Sequence, residues 1–292
     1  MRPRTLSRPL CLRWTLGVLS CTASLLACAG DRLTATGGIS DVDGAGGGGL
    51  TPWALITGYG TDGQVGGNAH ITHLEISDFR LDSSGVAIGI DDRLELSLSR
   101  VILGLGSTVP GESIREDVAG IKLRLAGDAV FEPDRALPQV AIGAEYKHNL
   151  DAAPIPRALG ARRDADFDYY LSATKLWFAA VGGRNLLANL TLRATRANQM
   201  GLLGFGGDRS DTRRLEPEGS LALFLRDDLA VGAEFRRKPD NLSAFHEDTF
   251  YDTFVAWFPL KSVSLTAAWT HLGRIADKTD QRGVLLQLQI DH

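Results

Sequence analysis

Past residue 28 the chain has no cysteine: Cys11, Cys21 and Cys28 all fall within the first 29 residues. Without that opening segment there is no disulfide framework, no thiolate metal ligand and no thiol nucleophile. Long apolar runs are missing too. No later stretch reaches the roughly 18 continuous apolar residues of a transmembrane helix, so a membrane crossing would require a closed sheet that satisfies its own backbone. A basic surplus is also absent. The opening segment carries four of the 31 Lys+Arg and none of the 35 Asp+Glu, which leaves 27 basic against 35 acidic residues, a net −8. That balance excludes the basic face on which a nucleic-acid partner depends. No G-x-S-x-G elbow and no phosphate-cradling G-x-x-x-x-G-K occurs.

What the chain does have begins with an export pattern. Arg2, Arg4, Arg8 and Arg13 precede a short apolar core from Leu16 to Leu26, and Ala27-Cys28-Ala29 supplies small residues for cleavage after Ala29. Leu25-Leu26-Ala27-Cys28 also fits a lipobox, in which Cys28 would be acylated and become the first mature residue. Either way, residues 1–29 are expected to be a signal peptide. Residues 30–62 follow as a glycine-rich segment, with Gly37-Gly38, Gly44, Gly46 through Gly49, and Pro52-Trp53-Ala54-Leu55-Ile56-Thr57-Gly58-Tyr59-Gly60. Glycine at this density suits a flexible linker and equally a segment packed closely into a barrel mouth.

From residue 63 to 292 the pattern has period two. Leu94, Leu96 and Leu98 alternate with Glu95, Ser97 and Ser99. Ile121, Leu123 and Leu125 alternate with Lys122 and Arg124, and Leu190 and Leu192 flank Thr191 and Arg193. Successive strand side chains point to opposite faces, so each segment has one oily and one wet face. The segments reach ten residues or more, enough to cross hydrocarbon when tilted. Connections alternate between short (91–92, 182–185, 227–228, 259–261) and long and polar (103–116, 149–166, 198–218, 238–249, 273–282), as in outer-membrane barrels. Aromatics gather near segment ends, including Tyr169, Trp177, Tyr251 and Trp257, where rings with a polar edge prefer the membrane boundary. The expectation is an all-β protein: a transmembrane antiparallel up-and-down β-barrel of about twelve strands, located in the outer membrane and bathed in its lipid. Residues 53–59 stay outside the wall on parity, and 127–137 is an unusually long connection for the short-turn side.

Residues 281–288, Gln-Arg-Gly-Val-Leu-Leu-Gln-Leu, resemble the strand by which barrel-assembly machinery recognises its clients, although the last residue here is His292 and not Phe. More broadly, Gly37-Gly38-Ile39-Ser40 through Thr61, Gly85-Val86-Ala87-Ile88-Gly89 with Asp92 through Ser97, Asp117 through Val130, and Leu137 through Ala141 resemble a bacterial family known as domain of unknown function 3034. The resemblance implies an outer-membrane-type barrel and supplies no substrate, activity or functional residue.

The chemistry-bearing residues are few. His70 and His73 are three apart and therefore diverge on a strand, and no metal site or cofactor is expected. Asp41, Asp43 and Gly44 match the start of a calcium loop whose later acidic ligand is missing. An enzyme would need a pair such as His148 with Ser172; none is pinned together, and a non-enzymatic role is expected. By phase, Arg93, Glu95, Lys122, Arg124, Glu145, Lys147, Arg193, Glu234 and Arg236 should line the lumen, because a charge facing mid-bilayer lipid costs about 2–4 kcal/mol. Six are basic and three acidic. That surplus suits a narrow or plugged porin-like passage with a slight anion preference, for a small-molecule solute the sequence leaves unspecified. The alternatives are a structural or interaction barrel whose interior ion pairs block flow and, further off, a lipid-modifying enzyme.

Overall fold

The computed structural model describes residues 32–132 and 135–292; the signal peptide assigned to 1–29 lies outside these. Two short strands, β1 (Ile39–Ser40) and β2 (Gly46–Gly47), pair with each other in a sheet separate from the wall. Twelve longer strands follow: β3 (Val65–Ile76), β4 (Arg80–Ile90), β5 (Leu94–Gly104), β6 (Ser113–Ala126), β7 (Gln139–Asn149), β8 (Ala165–Val181), β9 (Arg184–Thr195), β10 (Arg214–Arg226), β11 (Leu229–Arg236), β12 (Phe250–Leu260), β13 (Val263–Ile275) and β14 (Lys278–Asp291). Each pairs antiparallel with its sequence neighbours, and β14 closes on β3 in the register Leu288 opposite Ile71. The wall is thus a closed up-and-down barrel, and no sheet edge is left for lipid to meet.

The period-two pattern explains the wall. Ile71, Leu98, Leu190, Leu221, Trp269 and Leu286 point outward and are exposed, whereas their neighbours Thr72, Ser99, Thr191, Ser220, Thr270 and Gln287 point inward and are buried. So wide an exposed apolar surface would drive a protein in water to aggregate. Against lipid it is the matching face. Trp177, Phe178 and Trp257 lie toward one rim, and Phe167, Tyr169 and Tyr251 toward the other.

One sequence expectation changes here. The connection expected over 273–282 is only Ala276-Asp277, because β13 and β14 run on to Ile275 and from Lys278. Polar residues there signalled a loop, but a hairpin standing above the bilayer meets water on its outer face and needs no oily residues. The connection between β3 and β4 is also short, residues 77–79. The long ends are therefore 105–112, 150–164, 196–213 and 237–249, and two-residue turns join β8 to β9, β10 to β11 and β12 to β13. The connection after β6 is long for its side, as expected. It folds inward, burying Ala129 and Val130, and the Asp128 carboxylate accepts hydrogen bonds from the Val130 and Phe131 amides.

Candidate functional site

The barrel interior is occupied by the chain's own glycine-rich segment. From Gly37 to Gly60 every residue is buried. Beyond the β1–β2 pair this stretch has little regular structure, so most of its backbone groups need partners from elsewhere. The wall supplies them. Glu95 accepts from the Gly46 and Thr57 amides at 2.9 Å each. Lys122 Nζ donates to the Gly46 carbonyl at 2.7 Å and the Leu55 carbonyl at 2.9 Å, and pairs with Glu95 at 2.9 Å. Glu234 accepts from the Leu50 amide, Gln139 donates to the Ala54 carbonyl, and Thr191 to the Pro52 carbonyl. Ser83 on β4, Ser99 on β5 and Gln287 on β14 donate to the carbonyls of Val42, Asp43 and Ser40.

Glycine is required where this backbone meets the wall. A Cβ on Gly48 would overlap the Glu234 carboxylate, and one on Gly58, whose φ is +78°, would collide with the β3 backbone at Gly66 and Gly67. Side chains of any other kind would hold the segment away from its partners.

Above this layer sits an ion cluster. Lys147 Nζ lies 2.7 Å from Asp43 and 3.5 Å from Glu145. Arg193 bridges Glu145 at 2.6 Å and Glu218 at 2.5 Å. Arg236 joins Asp43 at 2.8 Å to Glu218 at 3.3 Å. Asp168 lies 3.7 Å from both Lys147 and Arg193. All of these groups are almost wholly shielded from solvent. At the mouth with the long connections, residues 196–207 fold inward, and Asn198 to Phe205 are buried. There Lys147 donates to the Met200 carbonyl and Asn149 to the Leu202 carbonyl, so strand β7 holds the loop as well as the cluster. At the other mouth a cavity of about 320 Å³ lies between the segment and the wall, bordered by Leu33, Leu55, Val130, Leu176, Leu187 and Phe224.

Of the nine residues assigned to the lumen by phase, Glu95, Lys122, Glu145, Lys147, Arg193, Glu234 and Arg236 are buried inside. Arg93 is not: it sits exposed in the turn before β5, where the chain reverses and strand phase no longer governs direction. Arg124 lies half-buried at the rim, paired with Asp92 and, at 2.9 Å, with Asp128. Sequence reasoning overlooked Glu116, Asp168 and Glu218, and with them acids outnumber bases among these buried wall charges. The basic surplus behind the expected anion preference is therefore not present. Asp168 carried a readable signal, since it alternates between the outward rings of Phe167 and Tyr169. His70 is buried inside and His73 is exposed outside. On β7 and β8, His148 takes the outward phase, between buried Lys147 and Asn149, whereas Ser172 is buried inside; the two cannot form a catalytic pair.

A family profile described as Protein of unknown function (DUF3034) matches residues 36–289, so it takes in the interior segment and all twelve wall strands. The chain belongs to this family. No curated protein matches it. Among solved structures, the KdgM porin in complex with disordered oligogalacturonate gives a TM-score of 0.50 at 10% identity, covering 76% of this chain and 98% of that one. Omp33 of Acinetobacter baumannii gives 0.45 at 9%, covering 77% and 97%. Outer membrane phospholipase A from Escherichia coli gives 0.40 at 11%, covering 82% and 93%. The likeness to the porin shows that this DUF3034 chain has the fold of an outer-membrane barrel.

Proposed function

We propose that this chain is an outer-membrane passage for small solutes whose resting state is closed by its own residues 32–62. The observation that carries this reading is the mode of docking. The backbone of the interior segment is joined to the wall by hydrogen bonds and ion pairs with polar side chains, beside an apolar cluster in which Ile39, Val42, Leu50, Trp53 and Leu55 pack with wall residues such as Leu176, Leu187 and Phe254. Water and ions admitted from either mouth can replace the polar contacts, which leaves exposure of the few apolar side chains as the cost of opening. Export by a cleaved signal peptide over residues 1–29, engagement of residues 281–288 by barrel-assembly machinery, and a non-enzymatic role belong to the same proposal. The separation of His148 from Ser172 across the wall supports the last of these.

The test is conductance of the refolded barrel in planar bilayers, with and without residues 32–62. Closed or rarely open wild type and frequent discrete openings of the shortened chain are expected; equal silence of both would end the proposal. A second reading, a closed interaction barrel that works through its loops, draws on the buried loop 196–207, which fills the mouth independently of the segment. Silent bilayers, together with protease trimming of 150–164 and 196–213 on intact cells, would favour it.

A further inference from the structure

Asp41 and Asp43, with Gly44 after them, stand at the spacing of the first two acidic ligands of a calcium loop, and their own segment lacks the later acid that completes one. The fold brings an acid from elsewhere. Glu145 on β7 reaches them across the lumen, and one ligand oxygen from each of Asp41, Asp43 and Glu145 lies within 4.8 Å of the other two. A triangle of that edge places each oxygen about 2.8 Å from its centre, a few tenths of an ångström from the 2.3–2.6 Å of calcium–oxygen bonds.

Two further observations point to a missing positive charge. Asp41 is fully buried, with Oδ1 accepting from the Ala45 amide, yet Oδ2 has no partner. Oε1 of Glu145 is likewise buried without a partner, although its other oxygen is held by Arg193. Buried carboxylate oxygens left in this state are costly and call for a compensating cation. The cluster is also unbalanced. Asp41, Asp43, Glu145, Asp168 and Glu218 face Lys147, Arg193 and Arg236, an excess of two negative charges before the unpartnered Glu116 is added. The three cations are turned toward Asp43 Oδ2, Glu145 Oε2, Asp168 and Glu218, and none contacts the two orphaned oxygens.

We propose that Asp41, Asp43 and Glu145 form a site for one divalent cation of the calcium class. The donors are hard carboxylate oxygens, which favour calcium or magnesium over softer metals. Because two ligands come from the interior segment and one from the wall, a bound cation clamps the segment in place; that consequence rests on the closed-passage reading above, while the site itself does not.

The test uses the refolded full chain in detergent, stripped with chelator and titrated with calcium chloride by isothermal calorimetry. One ion per barrel is expected, with affinity lowered at least tenfold in Asp41→Asn and in Glu145→Gln and unchanged in Asp211→Asn on an outer loop. Absence of binding by wild type, or equal binding by Asp41→Asn shown folded by heat-modifiable mobility, overturns the site, and the wild-type titration decides alone where a variant fails to fold. Conductance of the same samples with calcium and with chelator separates the two claims. Calcium binding without any change in conductance removes the clamp and leaves the site. Conductance that responds to chelator in a chain that binds no calcium overturns the site.

Discussion

Replacing Lys122 with methionine should release the interior segment while leaving the wall closed. Lys122 Nζ touches the Gly46 and Leu55 carbonyls and the Glu95 carboxylate, and Glu95 in turn accepts the Gly46 and Thr57 amides. Methionine fills the stem and removes the charge, so Glu95 becomes an uncompensated buried carboxylate. Removing one partner of a buried pair costs about 3–5 kcal/mol. This cost falls on the docked state, because water reaches Glu95 once the segment withdraws. At about 1.4 kcal/mol per factor of ten, the undocked fraction should rise by roughly two to three and a half powers of ten. Hydrogen exchange of the Gly46 and Thr57 amides reads that ratio directly, and bilayer conductance reads its consequence. Adding Glu95→Gln should restore much of the protection by removing the stranded charge. Exchange at those two amides within threefold of wild type would refute the reasoning. So would a fall in the barrel's own unfolding temperature as large as the loss of protection, since the pair would then hold the wall and not the segment.

Gly48→Val should also displace the segment, because its side chain meets Glu234; more frequent channel openings are the expected readout. Arg193→Met removes the nearest cation from both Glu145 and Glu218, leaving them Lys147 at 3.5 Å and Arg236 at 3.3 Å, and should destabilise the filled barrel by about 3 kcal/mol, seen as a lower midpoint of heat-modifiable mobility. Leu190→Arg puts a charge on the lipid face near mid-wall, at a cost of about 2–4 kcal/mol, and should lower the yield of folded barrel in vesicles. In the outer loops, the Arg163 guanidinium hydrogen-bonded to Asp211 holds that carboxyl below its ordinary value. A depressed carboxyl contributes stability above its unfolded value, and that contribution disappears as pH falls through the folded one. Exchange protection around residues 205–211 should therefore persist from neutral pH to about 4 and decline below that, with no such decline in Asp211→Asn.

The wall was legible because lipid enforces a rule along every strand: Leu96, Leu98, Leu190 and Leu192 could not have been charged, and their neighbours could. Legibility ended where lipid did. Above the bilayer the outer face of β13 and β14 meets water, so Lys278, Thr279 and Asp280 read as a loop although they continue a strand. Arg93 failed for a related reason, since a turn breaks the phase that assigns faces. The interior was legible only as polarity. That Glu95 and Lys122 serve the backbone of residues 46–57 depends on a segment of irregular conformation, and no periodicity announces where such a segment runs. Asp41 and Asp43 were visible as half of a ligand set; the other half lies about a hundred residues away in sequence on a strand of the wall.

The ends of the barrel differ around its circumference. Between β3 and β4 the connection is only residues 77–79, and between β13 and β14 only 276–277, whereas the long connections 150–164, 196–213 and 237–249 belong to the other flank. In a crowded outer leaflet this gathers the irregular chain on one side of the mouth and leaves regular hairpins on the other. Bulky agents from outside, such as antibodies, phage fibres or proteases, should find loop chain to grip between β7 and β12, while beside the seam where β14 meets β3 they meet strand ends and tight turns.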